Sequence, residues 1–362
     1  MQVSFFTELI RKFRSYTVSE NEMLILLNAQ IEKESWHCET SVTVQDKYGN
    51  SWRESGDVDS EYAAWSLSNL GGGIIIAGTI PNGKIYKSSD YGESWGLVQQ
   101  LGTEWAVYGI ADIGSGIVLA GSHPTGQIYK SDDYGDTWNL IQQLSAEMTV
   151  NSVISLGGGV ALAGTTPHGQ IYKSMDSGDS WSLVQRLGTQ YWARALVDLG
   201  GGIVLAGSYP GCKIYKSIDS GDSWNYVQSL GSESCVYSFA SLGSGIVLAG
   251  TYPDGYIYKS VDFGDTWAYI TKLDSAAVYS LILLGNGIVL AGTASGGFVY
   301  SSSDNGNTWS KIQRLGNESA FGNEVYSFAY LGEGIVLSGA LYYPGGIIYK
   351  SPSDGIVQTL YD

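Results

Sequence analysis

The chain has 362 residues, 49 of them glycine and 7 proline, with 12% aromatic residues and a net charge of −16. That length admits one large repeat domain with a small appendage, and the glycine excess signals many tight turns. The acidic balance argues against sequence-independent nucleic-acid binding, which needs a basic face, and no run of about 18 apolar residues marks a membrane-spanning helix.

Residues 1–36 stand apart from the rest of the chain. Phe5, Phe6, Leu9, Ile10 and Phe13 recur at helical spacing, with Glu8, Arg11, Lys12 and Arg14 on the other faces. Ser19 and Glu22 form a capping-box pattern ahead of Met23, Leu24, Leu27 and Ile31. The expectation is a short α-helical N-terminal extension of two amphipathic helices. Such helices are unstable alone and must pack on protein: the repeat domain, an identical chain or another partner. The basic cluster is too small to favour a membrane. No basic segment followed by an apolar core and a cleavage site opens the chain, so no secretory signal is read.

From about residue 41 the pattern turns to strands, and one motif keeps returning. Ser88, Asp90, Gly92 and Trp95 set the form Ser-x-Asp-x-Gly-x-x-Trp. It recurs with Asp133 and Trp138, Asp176 and Trp181, Asp219 and Trp224, Asp262 and Trp267, and Asp304 and Trp309, the tryptophans stepping by 43, 43, 43, 43 and 42 residues. Trp52 lies 43 residues before Trp95, in register, although the rest of its motif is degraded. A period of this size with several short strands per unit predicts a β-propeller. In the fifth unit the strands are read as Val236–Ser241, Ile246–Gly250, Tyr256–Ser260 and Trp267–Thr271, the second continuously apolar as for a strand buried on both faces. Units begin near Ala63, Ala106, Val150, Ala193, Val236, Val278 and Val325. The fold expected is therefore an all-β, seven-bladed propeller over residues 37–362. The seventh unit lacks a motif, so its last strand comes either from Ile356–Leu360 or, with a slight preference, from the segment around Trp52.

The motif resembles the Asp-box, or bacterial neuraminidase repeat, found in sialidases, xyloglucan-hydrolysing glycosidases, sortilin-type receptor domains and photosystem-assembly propellers. Well-formed copies cover residues 60–312. The resemblance implies the fold strongly and an activity weakly, because the motif serves many functions. Its physics is local: the Asp carboxylate accepts backbone N–H bonds within a turn, Gly supplies positive φ, and Trp buries its ring against a neighbouring sheet. Asp90, Asp133, Asp176, Asp219, Asp262 and Asp304 are accordingly expected to be structural.

A sialidase resemblance would imply a triad of arginines, yet of the repeat-region arginines only Arg194 occupies a first-strand position. Sialidase activity is rejected on that ground. A two-carboxylate glycosidase would draw on Glu104, Glu147, Asp198, Asp254 or Glu324, none singled out by context. His123 and His168 sit in turns of adjacent units and make only a weak metal case; no metal or cofactor is expected. Cys38, Cys212 and Cys235 form no paired framework, and a Cys212–Cys235 bond is conceivable but not required.

The stronger signal is variation on a fixed scaffold. Turns between second and third strands, opposite the motif turns, present Ile80, His123, Thr166, Tyr209 and Tyr252. First strands begin with Trp65, Tyr108, Asn151, Arg194, Tyr237, Tyr279 and Tyr326, joined by Trp105, Tyr191 and Trp192. The ligand-binding set expected is Tyr209, Tyr252, His123, Trp105, Trp192, Tyr108, Arg194 and Tyr237. Aromatic faces with polar neighbours suit sugar stacking or a protein partner; packing between blades is the competing use of the first-strand set. The expected function is non-catalytic recognition of a glycan or glycoprotein, within a virion, tail-fibre or cell-surface assembly. The alternative is an assembly-factor propeller that binds protein, and a polysaccharide hydrolase comes third.

Overall fold

The structure, a computed structural model, describes residues 52–58, 61–273, 277–294, 296–315, 323–341 and 346–351, all within the compact unit Gln45–Asp362. The expected N-terminal helices and the strand Ile356–Leu360 lie outside the described residues, among which every regular element is a strand.

Strand β1 (Arg53–Asp57) is followed by an up-and-down group of four: β2 (Ala63–Gly71), β3 (Ile74–Ile80), β4 (Lys84–Ser88) and β5 (Gly96–Gln100). The same group recurs as β6–β9 (106–143), β10–β13 (149–186), β14–β17 (192–229), β18–β21 (235–272) and β22–β25 (278–314), each an antiparallel sheet. The last strands, β26 (Glu324–Gly332), β27 (Ile335–Leu341) and β28 (Ile347–Lys350), share one eight-stranded sheet with β1–β5. In that sheet β1 pairs with β28, Arg53 opposite Lys350, and the two groups of four meet only at Ala63 and Leu341. The N-terminal strand thus takes the place of a fourth strand beside β28. First strands lie side by side in the order β2, β6, β10, β14, β18, β22 and β26, and β26 packs on β2. This closed circle is the arrangement of a β-propeller.

The burial gradient follows from composition. Second strands such as Ile117–His123 and Ile203–Tyr209 are buried along their length, as their continuous Ile-Val-Leu-Ala-Gly runs require. Fourth strands such as Gly96–Gln100 are exposed at their start. Neighbouring sheets approach closely enough to demand glycine: a Cβ on Gly164 would lie 2.7 Å from the Ala193 carbonyl oxygen.

The repeated turns weld sheet to sheet. In the third copy Ser174 Oγ donates to Asp176 Oδ1 (2.8 Å) and accepts from Gly178 N (2.9 Å). Ser180 N donates to Asp176 Oδ1 (2.9 Å) and Ser180 Oγ to Oδ2 (2.6 Å), so both carboxylate oxygens are used inside the turn. Gly178 has φ +91°, and a Cβ there would collide with Leu119 of the preceding sheet. Trp181 buries its ring in that sheet's cluster with Leu119, Ile128 and Leu144, its Nε1–H donating to Gly178 O (3.1 Å). Gln142 of the preceding fourth strand clamps the Trp181 backbone, accepting from its N–H (3.1 Å) and donating to its carbonyl (3.0 Å). Gln99 treats Trp138 alike (3.2 and 3.0 Å), and Gln313 accepts from Trp52 N (3.2 Å). Trp52 therefore holds the motif-tryptophan position for β1.

A second set of links crosses the same seams. Lys130 pairs with Asp179 (2.6 Å), Lys173 with Asp222 (2.7 Å), and Lys350 with Glu93 (2.7 Å), the last joining β28 to the first group's turn. The motif aspartates carry an acid sensitivity. Asp176 is held down at about 2 by the Ser180 hydroxyl and N–H and then by Ser174, and Asp219 sits at about 2 for the same kind of reason. A depressed carboxylate stabilises the fold above its unfolded value of about 3.9, and that contribution is lost as pH falls through the folded value. Thermal melting followed from pH 5 to pH 2 is expected to drop most between about 4 and 2, and Asp176→Asn to flatten that drop.

Candidate ligand-binding mouth

The two ends of the circle differ in chemistry. First-strand starts pair with second-strand ends, Ala106 opposite His123, Trp192 opposite Tyr209 and Cys235 opposite Tyr252. The turns after the second strands and the entries to the first strands therefore share one mouth. At the other end Tyr91 N donates to Gly73 O (3.0 Å), tying a motif turn to the loop between β2 and β3. The expected binding residues thus stand opposite the motif turns.

Third positions of the first strands face one another across the axis. Trp65 stacks on Tyr326 (4.0 Å between centroids, 24°), and Tyr326 on Tyr279 (5.3 Å, 13°). Tyr279 then meets Tyr237 (4.9 Å), and Trp65 meets Tyr108 (4.8 Å, edge on). Arg194 reaches into this ring of rings, its Cζ 4.5 Å from the Tyr237 centroid, 5.7 Å from Tyr108 and 5.8 Å from Trp65. Asn151 turns aside, donating from Nδ2 to Thr166 Oγ1 (2.7 Å) and Ala193 O (3.1 Å). Packing across the axis is therefore a real use of the first-strand aromatics. They remain half-buried, and burial raises the phenols of Tyr108, Tyr237 and Tyr279.

Above this floor stand the turn residues. His123 lies 5.8 Å from both Trp105 and Tyr108, Tyr209 lies 4.5 Å from Trp192, and Tyr252 lies 5.6 Å from Tyr237. Ring contacts thus link Trp105, His123, Tyr108, Arg194, Tyr237 and Tyr252, while Trp192 and Tyr209 form a separate pair beside them. His123 Nδ1 is 2.8 Å from Thr149 Oγ1, and burial, opposed by Glu104, lowers its pKa. His168 contacts Glu147 instead (2.9 Å), so the two histidines are not brought together.

The candidate carboxylates separate by environment. Glu104 and Glu147 are buried and accept from the turns at Thr125 and His168. Asp198 accepts from Gly200 N (2.9 Å), and Asp254 pairs with Lys272 (3.3 Å). Besides Asp254, which rides the turn after β19, the mouth takes Glu324, at the start of β26. Glu324 accepts from the Tyr326 hydroxyl, and burial raises its pKa despite that bond.

Two repeated rows were legible only in part, since sequence reasoning names Trp105, Tyr191, Glu104 and Glu147 singly and not as members of a series. Tyr62, Trp105, Met148 and Tyr191 occupy equivalent entry positions and are each about half exposed (48, 55, 48 and 54%), a row legible in retrospect from their 43-residue spacing. The same spacing runs through Glu61, Glu104, Glu147, Gln190 and Glu233, all buried under the turns. Cys212 and Cys235 are buried free thiols. No described helix is long and apolar enough to cross a membrane.

No protein-family model and no curated protein matches the sequence. Solved structures do match in fold. A structure described as YCF48 bound to D1 peptide aligns at TM-score 0.64 and 14% identity, over 85% of this chain and 98% of that one. The GH74 xyloglucanase from Xanthomonas campestris aligns at TM-score 0.66 and 14% identity, over 84% of this chain and 54% of that one. The WD40 β-propeller domain of Doa1 aligns at TM-score 0.62 and 14% identity, over 83% and 97%. At these identities the likeness is one of fold, and the fold is a β-propeller.

Proposed function

We propose that the chain is a seven-bladed propeller of the Asp-box type and a non-catalytic recognition module. Its ligand, a glycan or glycoprotein, seats at the aromatic mouth opposite the motif turns, while residues 1–36 tether the module to an assembly. The observation that carries this reading is the floor of Trp65, Tyr108, Tyr237, Tyr279 and Tyr326 around Arg194, overhung by Tyr209 and Tyr252. Flat, rigid aromatic faces bind sugar rings at small entropic cost. Hydrolysis by a two-carboxylate mechanism needs a facing acid and base, and of the two candidate carboxylates at this end Asp254 is paired with Lys272 while Glu324 accepts from the Tyr326 hydroxyl. A protein ligand is the second reading. It is favoured by the half-exposed row Tyr62, Trp105, Met148 and Tyr191, and a fold neighbour is described with a bound peptide.

The full-length protein on a glycan array, beside Tyr209→Ala/Tyr252→Ala, tests the proposal. Loss of two aromatic contacts is expected to weaken glycan binding by roughly thirtyfold or more, with unchanged thermal melting. Binding that survives the double substitution would remove the mouth from consideration, and silence across the array would leave the protein reading.

A further inference from the structure

Resting on that glycan reading, we infer that the mouth selects an acidic glycan and that a hexuronate carboxylate docks on Arg194. Arg194 breaks the repeat: the equivalent positions hold Trp65, Tyr108, Asn151, Tyr237, Tyr279 and Tyr326. Lys84 at this end is matched by Glu61 (2.9 Å) and Lys272 by Asp254 (3.3 Å). No carboxylate among the described residues pairs with Arg194. Its company is three aromatic rings and a hydrogen bond to the Tyr237 hydroxyl, which hold a guanidinium in place but supply no opposite charge. A guanidinium so placed offers a planar fork to a carboxylate, and such charge-assisted pairs are about twice as strong as neutral hydrogen bonds.

The other groups at the mouth narrow the ligand class. Tyr326 spends its ring on Trp65 and Tyr279, so the C–H face of a pyranose next to that carboxylate would lie on the exposed rings above, Trp105 and Tyr252. An extended peptide finds little to pair with at the entries, since Tyr62, Trp105, Met148, Tyr191 and Ser234 all spend their N–H groups on neighbouring carbonyls (2.7–2.8 Å). Glu324 stands in the same mouth as a second, negative determinant, disfavouring densely sulfated chains and admitting a ligand with one carboxylate at the axis.

The test is calorimetric titration of the full chain with oligosaccharides containing glucuronate, galacturonate or mannuronate, each beside its carboxyl-reduced neutral counterpart. The expected result is an acidic member that binds at least about tenfold tighter than its reduced twin. Arg194→Gln should erase the preference, and Arg194→Lys should keep part of it. The comparison of twins needs no variant, so it stands even if Arg194→Gln fails to fold. Twins that bind equally, or a preference that survives in Arg194→Gln, would overturn the inference while leaving glycan recognition intact. Binding of a peptide with a free terminal carboxylate, and of no glycan, would overturn both.

Discussion

Replacing Trp52 with alanine is expected to lower the unfolding free energy by about 3–5 kcal/mol, the range for truncating a buried tryptophan. Trp52 is 7% exposed and sits in a cluster with Leu290, Phe328, Val336 and Tyr349. Its ring is 6.1 Å from Phe328 and its N–H is held by Gln313. The residue therefore joins β1 to the sheet before it as well as to its own. Losing it loosens the strand that covers β28, and an uncovered β28 is an open sheet edge. In a closed circle such a gap exposes two seams at once, so the effect should appear as earlier global unfolding in urea.

Two comparisons sharpen the result. Trp95 is only partly buried and its indole N–H has no partner, whereas Trp138, Trp181, Trp224 and Trp267 donate theirs to the motif glycine. Trp95→Ala should thus cost less than Trp52→Ala. Removal of residues 352–362 should shift the midpoint little, because β28 already has β27 on one side and β1 on the other. A truncated chain less stable than Trp52→Ala would assign closure to the wrong terminus.

What could be read in advance was what repeats locally. First strands begin within a residue of the expected starts, at Thr149 for Val150 and at Glu324 for Val325, because glycine turns and apolar second strands are encoded within each unit. The Ser-Asp-Gly-Trp turn is equally local, although the Ser or Thr before each Trp, which takes Asp Oδ2, went unread. Closure was ambiguous because the Trp52 copy has Gln45 and Lys47 where the motif has Ser and Asp, keeping only Gly49 and Trp52, and what ties it to the preceding sheet is a hydrogen bond to distant Gln313. The mouth was half legible: its residues could be named from variation, but Arg194 crosses the axis to Trp65 and Tyr108, units away in sequence, and no periodicity encodes that reach. Glu104 and Glu147 misled for the opposite reason. They repeat faithfully, yet burial beneath the turns made them anchors and removed them from the rim.

Those anchors support the second large effect. Glu61 is fully buried and accepts from Thr79 Oγ1 (2.9 Å), Asn82 N (3.0 Å) and Asn82 Nδ2 (2.7 Å), with Lys84 Nζ at 2.9 Å. Burial works against its charge, but the bonds from Asn82, Lys84 and Thr79 prevail and its pKa is lowered. Glu61→Ala strips a lysine and three hydrogen bonds of their acceptor at once. Breaking a buried pair from one side costs about 3–5 kcal/mol, and the loss should appear in urea unfolding and as faster amide exchange at Asn82 and Gly83. Glu61→Gln should do far less harm, for the molecule already contains that exchange. Gln190 fills the equivalent site, its amide nitrogen reaching Ser208 Oγ (3.0 Å) and Pro210 O (2.6 Å) and its oxygen taking Lys213 Nζ (3.0 Å). The turn it anchors carries Tyr209, so an amide suffices to hold a mouth residue in place. Equal damage from Gln and Ala at position 61 would mean that the charge itself, and not the count of satisfied partners, holds the turn.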